Sequence, residues 1–276
     1  MKDFVNGGVV SDAIFERSNL THSQFLIWTG QKLNPDVPLY NMALAFRIRG
    51  ELDREAFREA FQMLVDRSDA LRTVIKEQQG IPRQRVLPEC QVSVPMPDFS
   101  GDPDPEQVLQ SWLQERVRRN FHLNTRLFDS VLIRMGADQH VWYLNQHHLI
   151  TDGWSTALTF RRMSEFYALA CAGKAEAVPQ LPAYRDYLDY ERDFRDRKTL
   201  KDAAAYWQQR AAAAPEPVQL YGKAPANQET ETHRVYCDPG PERSRALRDL
   251  AGKPPFKAFT EHLSLFNIFS ALLFAF

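Results

Sequence analysis

Two adjacent histidines, His147 and His148, are followed after three residues by Asp152-Gly153, and Trp154-Ser155 completes the stretch. Imidazole is the side chain best suited to proton transfer near neutral pH. Asp152 has two readings: it orients an imidazole as in a triad, or it anchors the turn by pairing with an arginine. Gly153 permits a tight turn or a close approach of the backbone. No Gly-x-Ser-x-Gly elbow and no cysteine lies nearby, so no side chain offers itself as a covalent nucleophile. That favours direct transfer between two bound substrates. The competing reading is structural, since a His-His pair at the end of a strand is more often a packing or surface feature than a catalytic one.

The elements around the pair must place it. His140 to Gln146 reads as a strand and Ser155 to Cys171 as a helix, so the cluster sits where a strand ends and the chain turns. Side chains alternate across a strand, so Trp142, Leu144, Gln146 and His148 share one face, and Val141, Tyr143, Asn145 and His147 share the other. The two imidazoles therefore point apart and do not bind one metal together. One faces a reaction space and the other supports the backbone.

The remaining chain mixes strands and helices, which gives an α/β or α+β class. Met1 to Arg17 carries little pattern. Thr21 or Ser23 caps a helix running past Trp28, and Tyr40 to Arg49 alternates as a half-buried strand. Asp53 caps a helix through Arg67 whose apolar face holds Ala56, Phe57, Ala60, Phe61, Leu64 and Val65. Leu71 to Lys76 and Arg83 to Leu87 read as short strands. Asp104, Pro105 and Gln107 form a strong helix start. Leu127 to Met135 and His140 to Gln146 form a hairpin. Composition shifts between Ala172 and Pro182, which places a boundary near residue 175. Charged helices over Tyr184 to Asp196 and Leu200 to Ala213 follow, then a strand near Thr232 to Cys237 and a helix over Glu242 to Ala251. Leu263 to Phe276 reads as a core helix whose packing partners lie beyond the end of the sequence.

At 276 residues the chain can build a large core in one or two domains. The net charge of -1 gives no general attraction to nucleic acid or to an anionic membrane. No apolar run reaches the roughly 20 residues of a membrane-spanning helix. Cys90, Cys171 and Cys237 lack metal-site spacing, and their odd number without a signal sequence fits a reducing cytoplasm. Neither a zinc spacing nor a glycine-rich phosphate loop is present.

His147-His148-x-x-x-Asp152-Gly153 resembles the HHxxxDG motif of the condensation domains of nonribosomal peptide synthetases. Three further segments match that family in order: Ser23-Gln24-x-x-x-Trp28, Arg67-Ser68-Asp69-Ala70-Leu71-Arg72-Thr73, and Tyr184-Arg185-Asp186-Tyr187. The resemblance runs from about Leu20 to the C-terminus. It departs at Ser68, where the family has His, at Asp69, where it has Glu, and at Arg126 and Asp129, where it has Pro and Arg.

The resemblance implies a chloramphenicol-acetyltransferase-like two-layer α/β sandwich. Residues 1–175 would form the whole N-terminal subdomain, and residues 176–276 the incomplete beginning of the second. It implies amide formation between a donor acyl or peptidyl thioester and an acceptor aminoacyl thioester. Both would ride on phosphopantetheine arms of carrier proteins beside an adenylation domain, with no cofactor or metal held by the domain. His148 would be catalytic, as general base or by positioning the amine, and Gly153 would let the backbone approach the thioester. His147, Asp152 and Arg67 would hold the motif, Asp152 pairing with Arg67. Gln24, Trp154 and Ser155 would line the substrate tunnel. Epimerisation, or ester formation by the same fold, is the alternative chemistry, and an inert docking module is the non-enzymatic alternative. The heterocyclisation branch is disfavoured, because it replaces the histidine pair with aspartate.

Overall fold

The computed structural model describes residues 8–195, 198–212 and 237–275. These residues fall into two compact units, Met1–Ala224 and Pro225–Phe276.

The first unit is built on a three-stranded antiparallel sheet. Strand β5 (Gln139–His147) lies between β1 (Asn41–Arg49) and β4 (Phe128–Gly136). The register aligns Leu44 with Leu144 and Phe46 with Trp142 on one side, and Val131 with Tyr143 and Ile133 with Val141 on the other. As the central strand, β5 is buried on both faces. Trp142 and Leu144 enter the larger core with Phe57, Phe61, Leu64, Val65, Phe128, Leu132, Met163 and Phe166. Val141 and Tyr143 enter a smaller cluster with Val131, Ile133 and Leu109, against Trp112 and Leu113.

Helices close both faces. Helix α3 (Arg54–Arg67) starts where the Asp53 carboxylate accepts hydrogen bonds from the Glu55 and Ala56 amides, at 2.9 and 3.0 Å. Its buried face is the one its spacing predicts, and it packs along α5 (Gly153–Cys171). Helix α4 (Pro105–Val117) supplies Leu109 to the smaller cluster, and Asp104 caps it through the Gln107 amide at 3.0 Å. Helix α2 (His22–Leu33) begins with a reciprocal capping box: Thr21 accepts from the Gln24 amide, and the Gln24 side chain accepts from the Thr21 amide.

Some elements differ from the sequence reading. Helix α1 (Gly8–Arg17) occupies a stretch with little sequence pattern; its Phe15 lies in the large core against Phe25, with ring centroids 5.2 Å apart. The short strands form the hairpin of β2 (Thr73–Gln78) and β3 (Ile81–Val86). They begin and end differently because Ala70–Arg72 closes into a 3-10 turn and because Gln79-Gly80, both with positive φ, makes a two-residue hairpin turn. Helices α6 (Tyr184–Arg195) and α7 (Lys198–Ala212) follow. Of the strand expected near Thr232 to Cys237, residues 232–236 lie outside the described residues and Cys237 is not in a strand.

The second unit contains α8 (Gly240–Ala251) and α9 (Glu261–Ala275), joined by an Arg248–Glu261 ion pair of 3.3 Å, and the segment between them is tied to α9 by the Ala258 amide, which donates to Ser264 Oγ at 2.8 Å. Helix α9 buries Ser264 and Ile268 but leaves Phe266, Phe269, Leu272, Leu273 and Phe274 exposed. Among the described residues no helix is long and apolar enough to cross a membrane.

Phe61 touches both Phe128 and Trp142 edge-on and is fully buried. Phe61→Ala is expected to lower unfolding stability by about 3–5 kcal/mol in denaturant titration, because the cavity has rigid aromatic walls.

Candidate active site

Strand β5 ends at His147, and the next residues turn back within one tight loop. The His147 amide donates to Leu127 O at 2.9 Å, the His148 amide to Tyr40 O at 2.8 Å, and the Ile150 amide to the His147 carbonyl at 3.0 Å. The turn is thus tied to the start of β1 and to the residue before β4. His147 is the last residue of the strand and His148 the first of the turn, and hydrogen bonding gives the two rings different partners.

His147 is 1 % exposed. Its Nδ1 accepts from the Leu149 amide at 3.1 Å, so Nδ1 carries no proton. The proton sits on Nε2, which donates to Gln31 Oε1 at 3.3 Å. Burial, and to a lesser degree the neighbouring His148, push its pKa down to about 4. His148 is half-buried and uses the other nitrogen: its Nδ1 lies 2.7 Å from the Thr151 carbonyl oxygen. A carbonyl can only accept, so Nδ1 carries a proton, and in the neutral ring the lone pair is on Nε2. That Nε2 has no hydrogen-bond partner among the described residues.

His148 lines a cavity of about 460 Å³. Four distant segments converge there: Thr21, Ser23, Gln24 and Ile27 from the start of α2; Ala70 and Thr73 after α3; His148 to Asp152 with Ser155; and Tyr184 with Tyr187 from α6. Asp69 ties two of them together, since its carboxylate accepts from Arg72 at 3.0 Å and from the Tyr184 amide at 3.2 Å. Burial pushes the Tyr184 phenol up to about 12, so it is a neutral hydroxyl at ordinary pH. No lysine or arginine lines the cavity among the described residues.

The expected partnership of Asp152 with Arg67 is not formed. Asp152 is the N-cap of α5, and its Oδ1 accepts from the Ser155 amide at 2.7 Å and the Ser155 hydroxyl at 2.6 Å. These two donors hold the carboxyl below the usual range. With the cap satisfying it locally, and with the positive end of α5 beside it, the carboxylate needs no guanidinium. Arg67 sits in the last turn of α3, half-buried.

The other expected residues divide. Gln24 and Ser155 line the cavity. Trp154 does not: it is 83 % exposed, because the second position of α5 projects away from the turn. Gly153 opens α5 without a left-handed φ, so the turn itself does not require glycine; a Cβ there would meet open space. At the departures from the family pattern, Asp129 forms a two-bond ion pair with Arg116, at 2.6 and 2.9 Å, and Arg126 lies over the Phe128 ring, 5.1 Å from its centroid. Thr151 was absent from the sequence reading of the site, because its contribution is a backbone oxygen. Tyr184 and Tyr187 stand within a recognised segment, and only the fold shows that their rings reach the cavity. Among the described residues no cluster of three His, Cys, Asp or Glu side chains could hold a metal.

The sequence profile of the condensation domain matches residues 16–257, and the chain belongs to that family. The phosphinothricin tripeptide synthetase of Streptomyces viridochromogenes is 30% identical over 92% of this chain and 24% of its own length. The isonitrile lipopeptide synthase of Mycobacterium tuberculosis is 34% identical over 73% of this chain and 8% of its own. Among solved structures, a starter condensation domain of rhizomide synthetase superposes with a TM-score of 0.70 at 25% identity, over 79% of this chain and 51% of that one. The first condensation domain of the calcium-dependent antibiotic synthetase gives 0.66 at 27%, over 72% and 48%. The fold is therefore chloramphenicol-acetyltransferase-like, and the chain spans about half the length of these domains.

Two measurements probe the turn. The unfolded chain protonates His147 near its ordinary pKa of about 6.5, while the folded chain holds it neutral down to about 4. Protons therefore favour the unfolded state in that window, and stability present above pH 6.5 falls by about 3 kcal/mol as pH drops to 4. His147→Gln should flatten that segment of a stability–pH profile. Asp152→Ala, which removes a cap and no buried ion pair, should cost about 1 kcal/mol in denaturant titration; a loss of about 3–5 kcal/mol would instead indicate a buried charge pair.

Proposed function

We propose that this chain provides the His148 side of an amide-forming condensation site. The acceptor's α-amine attacks the carbonyl carbon of the donor acyl thioester. A C–N bond forms, the C–S bond breaks, the amine gives up a proton and the donor arm leaves as a thiol. The observation that carries this reading is the fixed ring of His148: Nδ1–H is held by the Thr151 carbonyl, which leaves Nε2 as the nitrogen that can accept, in a residue that lines the cavity. An imidazole so held accepts a hydrogen bond from the attacking amine and takes its proton as the C–N bond forms. The open space over Gly153 suits a thioester laid close to the backbone at the start of α5. The Asp152 carboxylate that lines the cavity, with no lysine or arginine lining it among the described residues, favours an amine over a carboxylate.

Family membership, and relatives that include a dimodular nonribosomal peptide synthase of Bacillus subtilis, support carrier proteins with phosphopantetheine arms, and a neighbouring adenylation domain, as the partners. On this reading no cofactor is held by the domain itself. On the same reading residues 1–175 would form the histidine-bearing subdomain and residues 176–276 would begin the second, a boundary that does not coincide with the division of the structure after Ala224.

The test mixes the chain with two separately loaded carrier proteins and follows dipeptidyl product by mass spectrometry, beside a version extended to the full length of a condensation domain. Product is expected from the extended version at least, and His148→Ala should abolish it while circular dichroism and melting stay unchanged. Retained turnover in that variant would remove His148 from the chemistry. Carrier binding without product from either version, with any acyl donor, would favour a docking module.

A further inference from the structure

The His148 turn is held from outside by a chain of buried amides. Gln24 Nε2 donates to the Leu149 carbonyl at 3.0 Å, inside the turn itself. Gln24 and Gln84 face each other as a reciprocal pair: Gln24 Nε2 to Gln84 Oε1 at 3.4 Å, and Gln84 Nε2 to Gln24 Oε1 at 3.2 Å. Gln84 Nε2 also donates to the Asn19 carbonyl at 2.7 Å. Asn19 then grips the backbone of residue 84 on both sides: Nδ2 donates to Gln84 O at 2.9 Å, and Oδ1 accepts from Gln84 N at 2.7 Å. Both amide protons of each glutamine are used, and both side chains are buried. A network satisfied in this way admits one orientation of each amide.

We infer that Gln84, on β3 and outside the cavity, is a positioning residue for His148, acting through Gln24 and the Leu149 carbonyl. The inference rests on the condensation reading for its kinetic consequence, but not for its structural one. Leu149 is the residue next to His148, and its amide is bound by His147 Nδ1. Its carbonyl is bound by Gln24, so Leu149, which lies between His148 and the Thr151 carbonyl that holds the His148 ring, is itself held at both its amide and its carbonyl. Releasing one clamp lets the turn rotate and frees the Thr151 carbonyl to leave His148 Nδ1. A displacement of about 1 Å at a reacting group is enough to cost about 100-fold in rate. Gln84 makes no direct contact with the cavity, so substrate affinity should be spared.

The test uses Gln84→Met, which keeps the length and apolar bulk of the side chain and removes its hydrogen bonds, with Gln84→Glu as the conservative partner. Glutamate keeps the acceptor facing Gln24 Nε2 and loses both donors. Ring nitrogens of 15N-labelled histidine are read by long-range NMR, beside kcat and KM for the condensation assay. In Gln84→Met the Nδ1–H signal of His148 should give way to a mixture of tautomers, and kcat should fall about 10- to 100-fold with KM unchanged. Gln84→Glu should retain part of both. A wild-type His148 signal in a folded Gln84→Met protein would overturn the inference, as would a loss confined to melting temperature or to KM. The NMR reading needs no turnover, so an inactive wild-type chain would count against the condensation reading alone.

Discussion

The Nδ1–H···O=C bond from His148 to Thr151 is the constraint on which the site depends. It joins a side chain to a backbone oxygen three residues away, so it exists only while the turn from 147 to 151 holds one shape. The neighbouring ring enforces that shape from within, because His147 accepts the Leu149 amide and cannot do so if protonated at Nδ1. One turn thus keeps two histidines in opposite tautomers. The buried one is a neutral structural acceptor, and the half-buried one is left with a basic nitrogen.

The fold supplies what that turn needs. The central strand is fixed in register on both sides, and its last residues bond to Leu127 and Tyr40. Helix α5 starts immediately after the turn, with Asp152 as its cap, so the chain leaves in a set direction. Segments far apart in sequence then close around the ring: the capping box of α2, the turn after α3, and the first turn of α6. Asp69 and Gln24 do most of the joining, each bonding to a segment more than 100 residues away. Conformational entropy opposes such non-local arrangements, and here the hydrogen bonds of the buried Gln24 and the half-buried Asp69 offset it.

Much of this was legible in the sequence. Asp53, Thr21 and Asp104 announce their helices through local hydrogen bonding that depends on neighbouring residues alone, whereas the separation of the two histidines, expected from parity along a strand, comes from the turn, since β5 ends at His147. The four matching segments pointed to the family and to a common site. Three features were not legible. Helix α1 lacks a strong apolar period and is held by Phe15 against Phe25, a tertiary contact. Asp152 was expected to need Arg67, since a carboxylate beside a histidine pair suggests an ion pair; the hydroxyl and amide of Ser155, three residues on, satisfy it instead. The parts played by the Thr151 carbonyl and by Gln84 rest on a backbone oxygen and on a partner 60 residues from Gln24, and neither leaves a mark in residue spacing.

The most direct measurement of the account is the proton position on the two rings in the unmodified chain, read at neutral pH by long-range 15N–1H correlation of labelled histidine. The account predicts His148 carrying a proton on Nδ1 and His147 on Nε2, with His147 still neutral well below pH 6. Finding both rings in the same tautomer, or His147 charged near pH 6, would contradict it.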